Sequence, residues 1–546
     1  MTKRILLLLM SVIIVALVAC SDDSSSESDN TNNNDNAASD NNGESSNLNE
    51  TGFPIVNDQI TLDFFTLKSN ISISYDWNED FLVWDEYENM TNIDINWSEQ
   101  VSADALEEKR NLALASGNLP DVFYATNLPA TDLFKYGQQG TFVALNDLIE
   151  QYAPNLNQFL EDNPSVKKGI TFPDGNIYSL PYLQDEAFLS IRLSARPWFN
   201  QEWLDALGMD LPETTDELYD YLVAIKEGDP NGNGDTDDEI PYGGVNIDNL
   251  IGWVKGAFGL GTKGGQMIDI DPETDELRYI PVSEEYKQMI EYLNKLYSEE
   301  LIEQNIYSIE WAQFMSAAQE EKYGVTVFYG PNDVWGQEVG NKFTHGVPLE
   351  GPDGHRLYSQ VNSPLTTVGK FAITSENEHP EATMRWVDYF YGEEGAELMY
   401  MGIEGETFEV VDGEYQYVDE IRNSSEFEQE MASRIPWHGI GPPGVVKQQF
   451  FKGSESGQQS LDATAAIEPY VPEEIWPAFT YTQEETSVLQ STGTDIEKYV
   501  TESRDLFITG ELPLSEWDNY VETIENMGLA EYMEVQQAAL DRYENN

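Results

Sequence analysis

From about residue 58 onward, short runs rich in β-branched and aromatic residues alternate with stretches that carry helix start and stop signals, and this alternation limits the fold more than any other feature. Strands are predicted at Ile60 to Leu67, Ile93 to Trp97, Val122 to Tyr124, Val325 to Tyr329 and Phe371 to Thr374. Thr214 and Glu217 form a capping-box pair ahead of Leu218, Tyr221, Leu222 and Ile225, whose spacing puts them on one helical face. Thr494 with Glu497 repeats the device before Tyr499, Val500, Ser503 and Phe507, and Pro380 and Gly392 bracket a further helix. Such alternation predicts an α/β fold with more than one lobe. No internal repeat is visible, which argues against a solenoid.

The N-terminus has a different character. Lys3 and Arg4 precede an apolar run from Ile5 to Ala19 that ends in Leu17-Val18-Ala19-Cys20. At about 1.5 Å per residue that run falls short of the roughly 30 Å hydrocarbon core, so it fits a cleaved signal h-region better than a permanent span. The motif resembles a bacterial lipobox, which implies a diacylglyceryl group, with palmitate-type chains, on the Cys20 thiol and cleavage just before it. Cys20 is the single cysteine of the chain, so neither a disulfide framework nor a catalytic thiol is available to the mature body. The stretch from Ser21 to about Glu50 is nearly all Ser, Asn, Asp, Glu and Gly, a composition that buries no surface and predicts a disordered tether.

Acidic residues number 99 against 28 basic ones, a formal charge of -71. A polyanion of this kind excludes nucleic acid as a partner. The same acidity makes carboxylate pairs uninformative, since glycosidase-like spacings then arise by chance.

One acidic stretch is patterned. After the helix ending near Lys226, oxygen side chains at Asp229, Asn231 and Asn233 occupy positions 1, 3 and 5 of a loop with Gly234 at position 6, followed by Asp235, Asp237, Asp238 and Glu239. This is the donor spacing of an EF-hand-type loop around calcium. Ile240 stands at position 12, so Asp237, Asp238 or Glu239 must close the shell. The expected role is a structural clip, because nothing nearby supplies a base.

The longer run Arg196-Pro-Trp198 to Leu218, leading into Asp-Pro-Asn-Gly-Asn-Gly, resembles the large lipoprotein solute-binding proteins of Gram-positive ABC importers, of the extracellular solute-binding family 1 type. Further matching stretches are Leu114 to Val122, Pro173-Asp174-Gly175 to Pro181, Gly351-Pro-Asp-Gly354, the run from Pro380 to Trp386, Gly402 to Gly405, Phe507-Ile-Thr-Gly510 and Asp541-Arg542. The resemblance implies a two-lobed periplasmic-binding-protein-like α/β fold, crossed by the chain more than once, that captures an oligosaccharide in a central cleft. It also implies delivery to a membrane permease by a monomeric, lipid-anchored receptor on the extracellular face of the cell membrane. The expected division is a signal peptide 1–19, a lipidated tether 20–57, one lobe from 58–182 and 360–425, and a second from 183–359 and 426–546. Sugar recognition calls for aromatic faces with a few polar groups. The aromatics expected there are Tyr124, Tyr182, Trp253, Trp335 and Trp437, with Asn332 and the scarce cations Arg192 and Arg434.

An enzyme is the competing reading. His345, His355, His379 and His438 form no zinc motif. Gly259-Leu-Gly261-Thr-Lys-Gly264 matches a dinucleotide glycine pattern but follows Trp253 to Phe258, which reads as helix where a strand is needed. A glycoside-active enzyme survives only through the abundance of carboxylates.

Overall fold

A computed structural model describes residues 47–545, apart from 425, 426, 436 and 438. The signal-like run, Cys20 and the tether up to residue 46 lie outside the described residues, as does His438. No described helix is long and apolar enough to cross a membrane.

Two sheets organise the body. The first has six strands: β1 (Ile60–Lys68), β2 (Ile93–Ser102), β3 (Val122–Tyr124), β4 (Leu180–Gln184), β11 (Leu365–Ile373) and β14 (Gly444–Val446), in the order β14-β4-β11-β3-β1-β2. All are parallel to one another except β11, which runs antiparallel to its neighbours β3 and β4. The second has four: β5 (Arg196–Asn200), β6 (Ile240–Tyr242), β9 (Tyr323–Phe328) and β10 (Phe343–His345), in the order β10-β5-β9-β6, with β5 antiparallel to both its partners. Two hairpins, β7 (Ile268–Ile270) with β8 (Leu277–Tyr279) and β12 (Phe408–Val411) with β13 (Glu414–Tyr417), stand apart. Strands covered on both faces need near-continuous apolar residues, and β1 and β9 meet that need with Phe64, Phe65, Leu67, Val325 and Val327, all buried.

The first sheet carries one core, and the second a large core beside a smaller cluster of Trp198, Phe314, Tyr323, Trp335 and Phe343. The first core draws on residues between Ile55 and Ile191 and again between Leu365 and Phe451. The second draws on residues between Leu193 and Val361 and between Ile467 and Tyr543. The chain therefore passes from one core to the other three times, around residues 192, 363 and 455.

The crossings are tied to each other by hydrogen bonds. Gln184 N donates to Pro364 O (2.9 Å), Asp185 N to Val446 O (3.1 Å) and Asn362 N to Arg192 O (2.8 Å). Ser190 Oγ donates to Glu455 O at 2.5 Å.

The helix Thr215–Glu227 begins as its sequence predicts. Thr214 Oγ1 accepts from Glu217 N, Glu217 Oε2 accepts from Thr214 N, both at 3.1 Å, and Leu218, Tyr221, Leu222 and Ile225 are buried. The pair Thr494 and Glu497 does not cap. A π-turn, Leu489–Gly493, runs straight into the helix Thr494–Thr509, so the main chain before Thr494 is already helical and its N–H groups have partners. The working box lies one element earlier, at Thr482 and Glu485.

Candidate functional site

In open α/β sheets, ligands meet the loops beyond the carboxyl ends of the parallel strands. In the second sheet that end of β9 is followed by Tyr329 and Gly330, and it carries two large exposed rings. Tyr329 is 45 % exposed and Trp311, the first residue of the helix Trp311–Gln319, is 50 % exposed. Between them lies Phe328, with its ring centroid 5.7 Å from Trp311 and 5.2 Å from Tyr329. Phe328 itself packs on the buried Phe314 at 6.1 Å, so the exposed pair rests on a rigid base. Exposed aromatic surface is costly unless something covers it, and a flat ring face suits a sugar ring.

Fixed charges hold this strand end in place. Arg196 is fully buried, and its Nη1 donates to Tyr329 O (3.0 Å) and Ser194 O (3.2 Å), while Nη2 donates to Ser190 Oγ (2.7 Å). Gly330 sits so close to the third crossing that a Cβ there would lie 3.1 Å from Ser454 Cβ. Beside it, burial raises the proton affinity of the Glu455 carboxyl, with Arg196 opposing the shift and Asp333 adding to it.

In the first body Trp437 lies in the turn before β14. Its ring packs on Tyr400 (5.1 Å) and on Phe451 (5.5 Å), which belongs to the third crossing, and its Nε1 donates to Tyr400 O at 3.3 Å. The following loop lies over the sheet. Lys370, on β11, donates from Nζ to Ile440 O at 2.6 Å, and a Cβ at Gly441 would lie 3.4 Å from both Lys370 Nζ and the Tyr182 ring. Burial pulls the Lys370 ammonium down to about 8 and pushes the Tyr182 phenol up to about 12. The segment from Phe451 to Ser454 thus runs from beside Trp437 to the Tyr329 end of the second sheet.

The residues expected at the cleft separate into groups. Tyr182 and Trp437 share a neighbour in Tyr400, whose ring packs on Trp437 and whose hydroxyl bonds that of Tyr182. Tyr124 is fully buried, stacked on Phe64 and edged by Trp97. Trp253 is 1 % exposed, its Nε1 donating to Val347 O at 3.0 Å and its ring set edge-on to Phe199. Trp335 lies in the helix Pro331–Gly340, not on a loop, and is 5 % exposed with its ring stacked on Phe343 at 3.7 Å. Asn332 is exposed in the first turn of that helix. Arg192 is buried in the first crossing and spends its Nε on Asn362 O at 2.9 Å. Arg434 pairs with Glu430 at 2.6 Å and Glu420 at 3.4 Å on the surface.

Sequence reasoning passed over Trp311 and Tyr329. Tyr329 had a usable signal, as the last aromatic of a β-rich run before Gly330-Pro331. Trp311 had none, because an indole at a helix start looks like any core anchor until the turn that exposes it is known.

The loop after the helix Thr215–Glu227 folds around its own oxygens. Gly234 takes φ +89°, the left-handed turn that the sixth position of such a loop requires. Asp229 accepts from Asn233 N (3.1 Å) and Gly234 N (3.0 Å), and Asp238 accepts from Asn231 Nδ2 (3.3 Å) and Asn233 Nδ2 (2.9 Å). Asn233 Oδ1 accepts from Asp235 N, and Asp235 Oδ1 from Asp237 N. Among the described residues, no three His, Cys, Asp or Glu side chains converge tightly enough to hold a metal ion. Both oxygens of Glu239 are nevertheless shut away from solvent with no hydrogen bond of full geometry, and burial, with Asp238 and Asp229 adding to it and the main-chain N–H groups of Glu239 and Asn231 opposing it, raises the proton affinity of that carboxyl. A desolvated carboxylate facing two others is the arrangement a hard cation relieves.

The glycine pattern at Gly259 to Gly264 offers no phosphate cradle. Its main-chain N–H groups at Gly261 and Thr262 already donate to Asp269, at 2.8 and 3.1 Å, and Asp269 is paired with Arg278.

Comparison with known proteins agrees with this architecture. The chain is 28% identical over 520 residues, 90% of its length and 92% of the relative's, to the fructooligosaccharide ABC transporter substrate-binding protein FusA of Streptococcus pneumoniae. It is 25% identical over 463 residues, 81% and 84% of the two chains, to lipoprotein LipO of Bacillus subtilis. Two solved structures of S. pneumoniae FusA, one in complex with kestose and one of an EF-hand mutant in complex with fructo-nystose, each superimpose with a TM-score of 0.72 over 89% of this chain and 100% of theirs, at 26% and 27% identity. The family description of the bacterial extracellular solute-binding proteins matches residues 79–397, more than half of the sequence. With that match, two sheets joined by three crossings and exposed aromatic rings at a strand end, this chain belongs to the bacterial extracellular solute-binding proteins.

Proposed function

We propose that the protein is a lipid-anchored receptor that captures an oligosaccharide between its two α/β bodies and hands it, chemically unchanged, to an ABC permease. The observation that carries this reading is the exposed pair Trp311 and Tyr329, supported from beneath by Phe328, at the carboxyl end of β9. Trp437, packed on Phe451 by the third crossing, and Tyr182 are the first body's candidates for the second contact, and the three bonded crossings act as the hinge on which the bodies close. The bodies are those of the two cores, 55–191 with 365–451 and 193–361 with 467–543. Fructo-oligosaccharides are the first ligands to try, given the similarity to FusA. A titration calorimetry and thermal-shift series with kestose, nystose, maltotriose and a pectin fragment tests the reading. A rise in melting temperature with at least one sugar, and no release of reducing sugar on long incubation, is the expected result. Sugar hydrolysis, or no response to any carbohydrate, would overturn it.

The loop at Asp229 serves as a calcium clip in this reading, held by Asp229, Asn231, Asn233, Asp235 and Asp238 and closed by Glu239, with Asp237 left on the surface. The support is the desolvated Glu239 carboxylate. Chelation should lower the melting temperature by several degrees while sugar binding at low temperature persists, because the loop leads into β6 at Ile240, which pairs with Tyr323 at the opposite end of β9 from Tyr329. Asp229→Ala with Glu239→Gln should reproduce the shift without chelator. Identical melting curves with calcium and with chelator would make the loop a plain turn.

Attachment through Cys20 rests on the signal-like run and on similarity to LipO. Cys20→Ser should move the protein from the membrane fraction to the medium, or leave an unprocessed precursor. A processed chain that stays in the membrane fraction after that substitution would rule out the thiol as the anchor.

A further inference from the structure

Three polar side chains gather beside the exposed ring of Tyr329. Gly330 follows it, and the point where a Gly330 Cβ would lie is 3.2 Å from Asp333 Oδ2 and 3.7 Å from Ser454 Oγ. Ser454 Oγ in turn donates to Glu455 Oε2 at 3.2 Å. Asp333 is exposed, and Ser454 and Glu455 are half-buried. The Glu455 carboxyl lies within electrostatic reach of Asp333 and Arg196 in the second body and of the Tyr182 phenol in the first, which puts it at the junction of the two. The guanidinium beside this group is already spent. Arg196 is buried beneath the strand end, with its donors on Tyr329 O, Ser194 O and Ser190 Oγ. Lys452, on the third crossing, donates to Gln449 O at 2.8 Å, and Arg192, on the first, to Asn362 O at 2.9 Å. Two carboxyl groups against one buried cation leave this corner negative, and Glu310, exposed next to Trp311, adds to it.

An ionised carboxylate accepts hydrogen bonds and gives none. Hydroxyl groups on neighbouring sugar carbons can each give one to it, and hydrogen bonds to a charged acceptor are the stronger kind. A uronate would instead set its own charge beside two others. Like charges a few ångströms apart in partly buried surroundings repel by enough to lower affinity about tenfold or more. We infer that Asp333 and Glu455 make the site select uncharged oligosaccharides, by accepting hydrogen bonds from their hydroxyls and repelling uronates, a choice of ligand class that rests on the receptor function proposed above and narrows it.

The test compares kestose, nystose and maltotriose with trigalacturonate by calorimetry on the full chain, in about 0.15 M salt, where a screening length of about 8 Å silences charges elsewhere on the surface. The tightest of the three neutral sugars should bind at least about tenfold more tightly than trigalacturonate. Asp333→Asn with Glu455→Gln keeps the side-chain shapes and removes both charges. That double variant should bind the same neutral sugar at least about tenfold more weakly and bring trigalacturonate to within about threefold of it, with the melting temperature of the ligand-free protein little changed. Trigalacturonate bound by the wild type as tightly as the neutral sugars would overturn the inference and leave the receptor function standing. A neutral sugar that the double variant binds with unchanged affinity and unchanged preference would do the same. A wild-type chain that binds none of the four would overturn the receptor function and the inference together. The comparison of sugars on the wild type stands even if the double variant fails to fold.

Discussion

Trp311→Ala is expected to weaken oligosaccharide binding by more than about tenfold while leaving the melting temperature of the ligand-free protein within a degree or two. Half of the Trp311 surface is already in water, so truncation removes little packing. A bound sugar ring lying on the indole would lose a rigid apolar face, and such an anchor typically contributes about 2 kcal/mol or more. Tyr329→Ala should behave alike, and the double substitution should abolish measurable binding. Calorimetry on the variants decides the matter. Unchanged affinity in Trp311→Ala would remove this surface from the ligand site and leave Trp437 as the principal aromatic contact.

Trp253→Ala should do the opposite. Its indole is enclosed in the second core, and removing it opens a large cavity and strands Val347 O without its donor. Large aromatic truncations of this kind cost about 3–5 kcal/mol, enough to lower the melting temperature by several degrees in a body of this size. Ligand affinity, measured well below that transition, should stay within about threefold of wild type. A variant that melts normally but fails to bind sugar would place Trp253 in the cleft. Trp335, stacked on Phe343, should follow Trp253 and not Trp311.

These two expectations mark where the sequence could be read and where it could not. Strand positions were legible because β-branched and aromatic runs have few other uses, and all five predicted strands occur, the ones at Ile93 and Phe371 running longer than expected. The Thr214 capping box was legible because the helix it starts is preceded by extended chain. The same four-residue pattern at Thr494 misled, since the pattern does not report whether helix already precedes it. Among aromatics, the difference between Trp311 and Trp335 depends on what packs above each ring, and that is set by Phe343 and Phe328, residues far away or of unknown facing until the strands are paired. Tyr124 illustrates the point. It stands at a strand's carboxyl end, as expected of a ligand contact, but its side chain turns into the cluster of Phe64, Trp77 and Trp97.

The three crossings also govern how such a molecule comes into being. A chain that emerges N-terminus first cannot complete its six-stranded sheet when residue 191 has appeared, because β11 must lie between β3 and β4, and β14 beyond β4. The first body therefore waits for residues up to about 451, long after the whole central segment has been released. For that interval β1, β2 and β3 can pair with each other, but the edge of β3 that takes β11 and both edges of β4 stay open, a condition in which chains commonly aggregate. The charge of -71 gives the unfinished chain a means of keeping its copies apart, so the acidity has a task in assembly before any ligand is met.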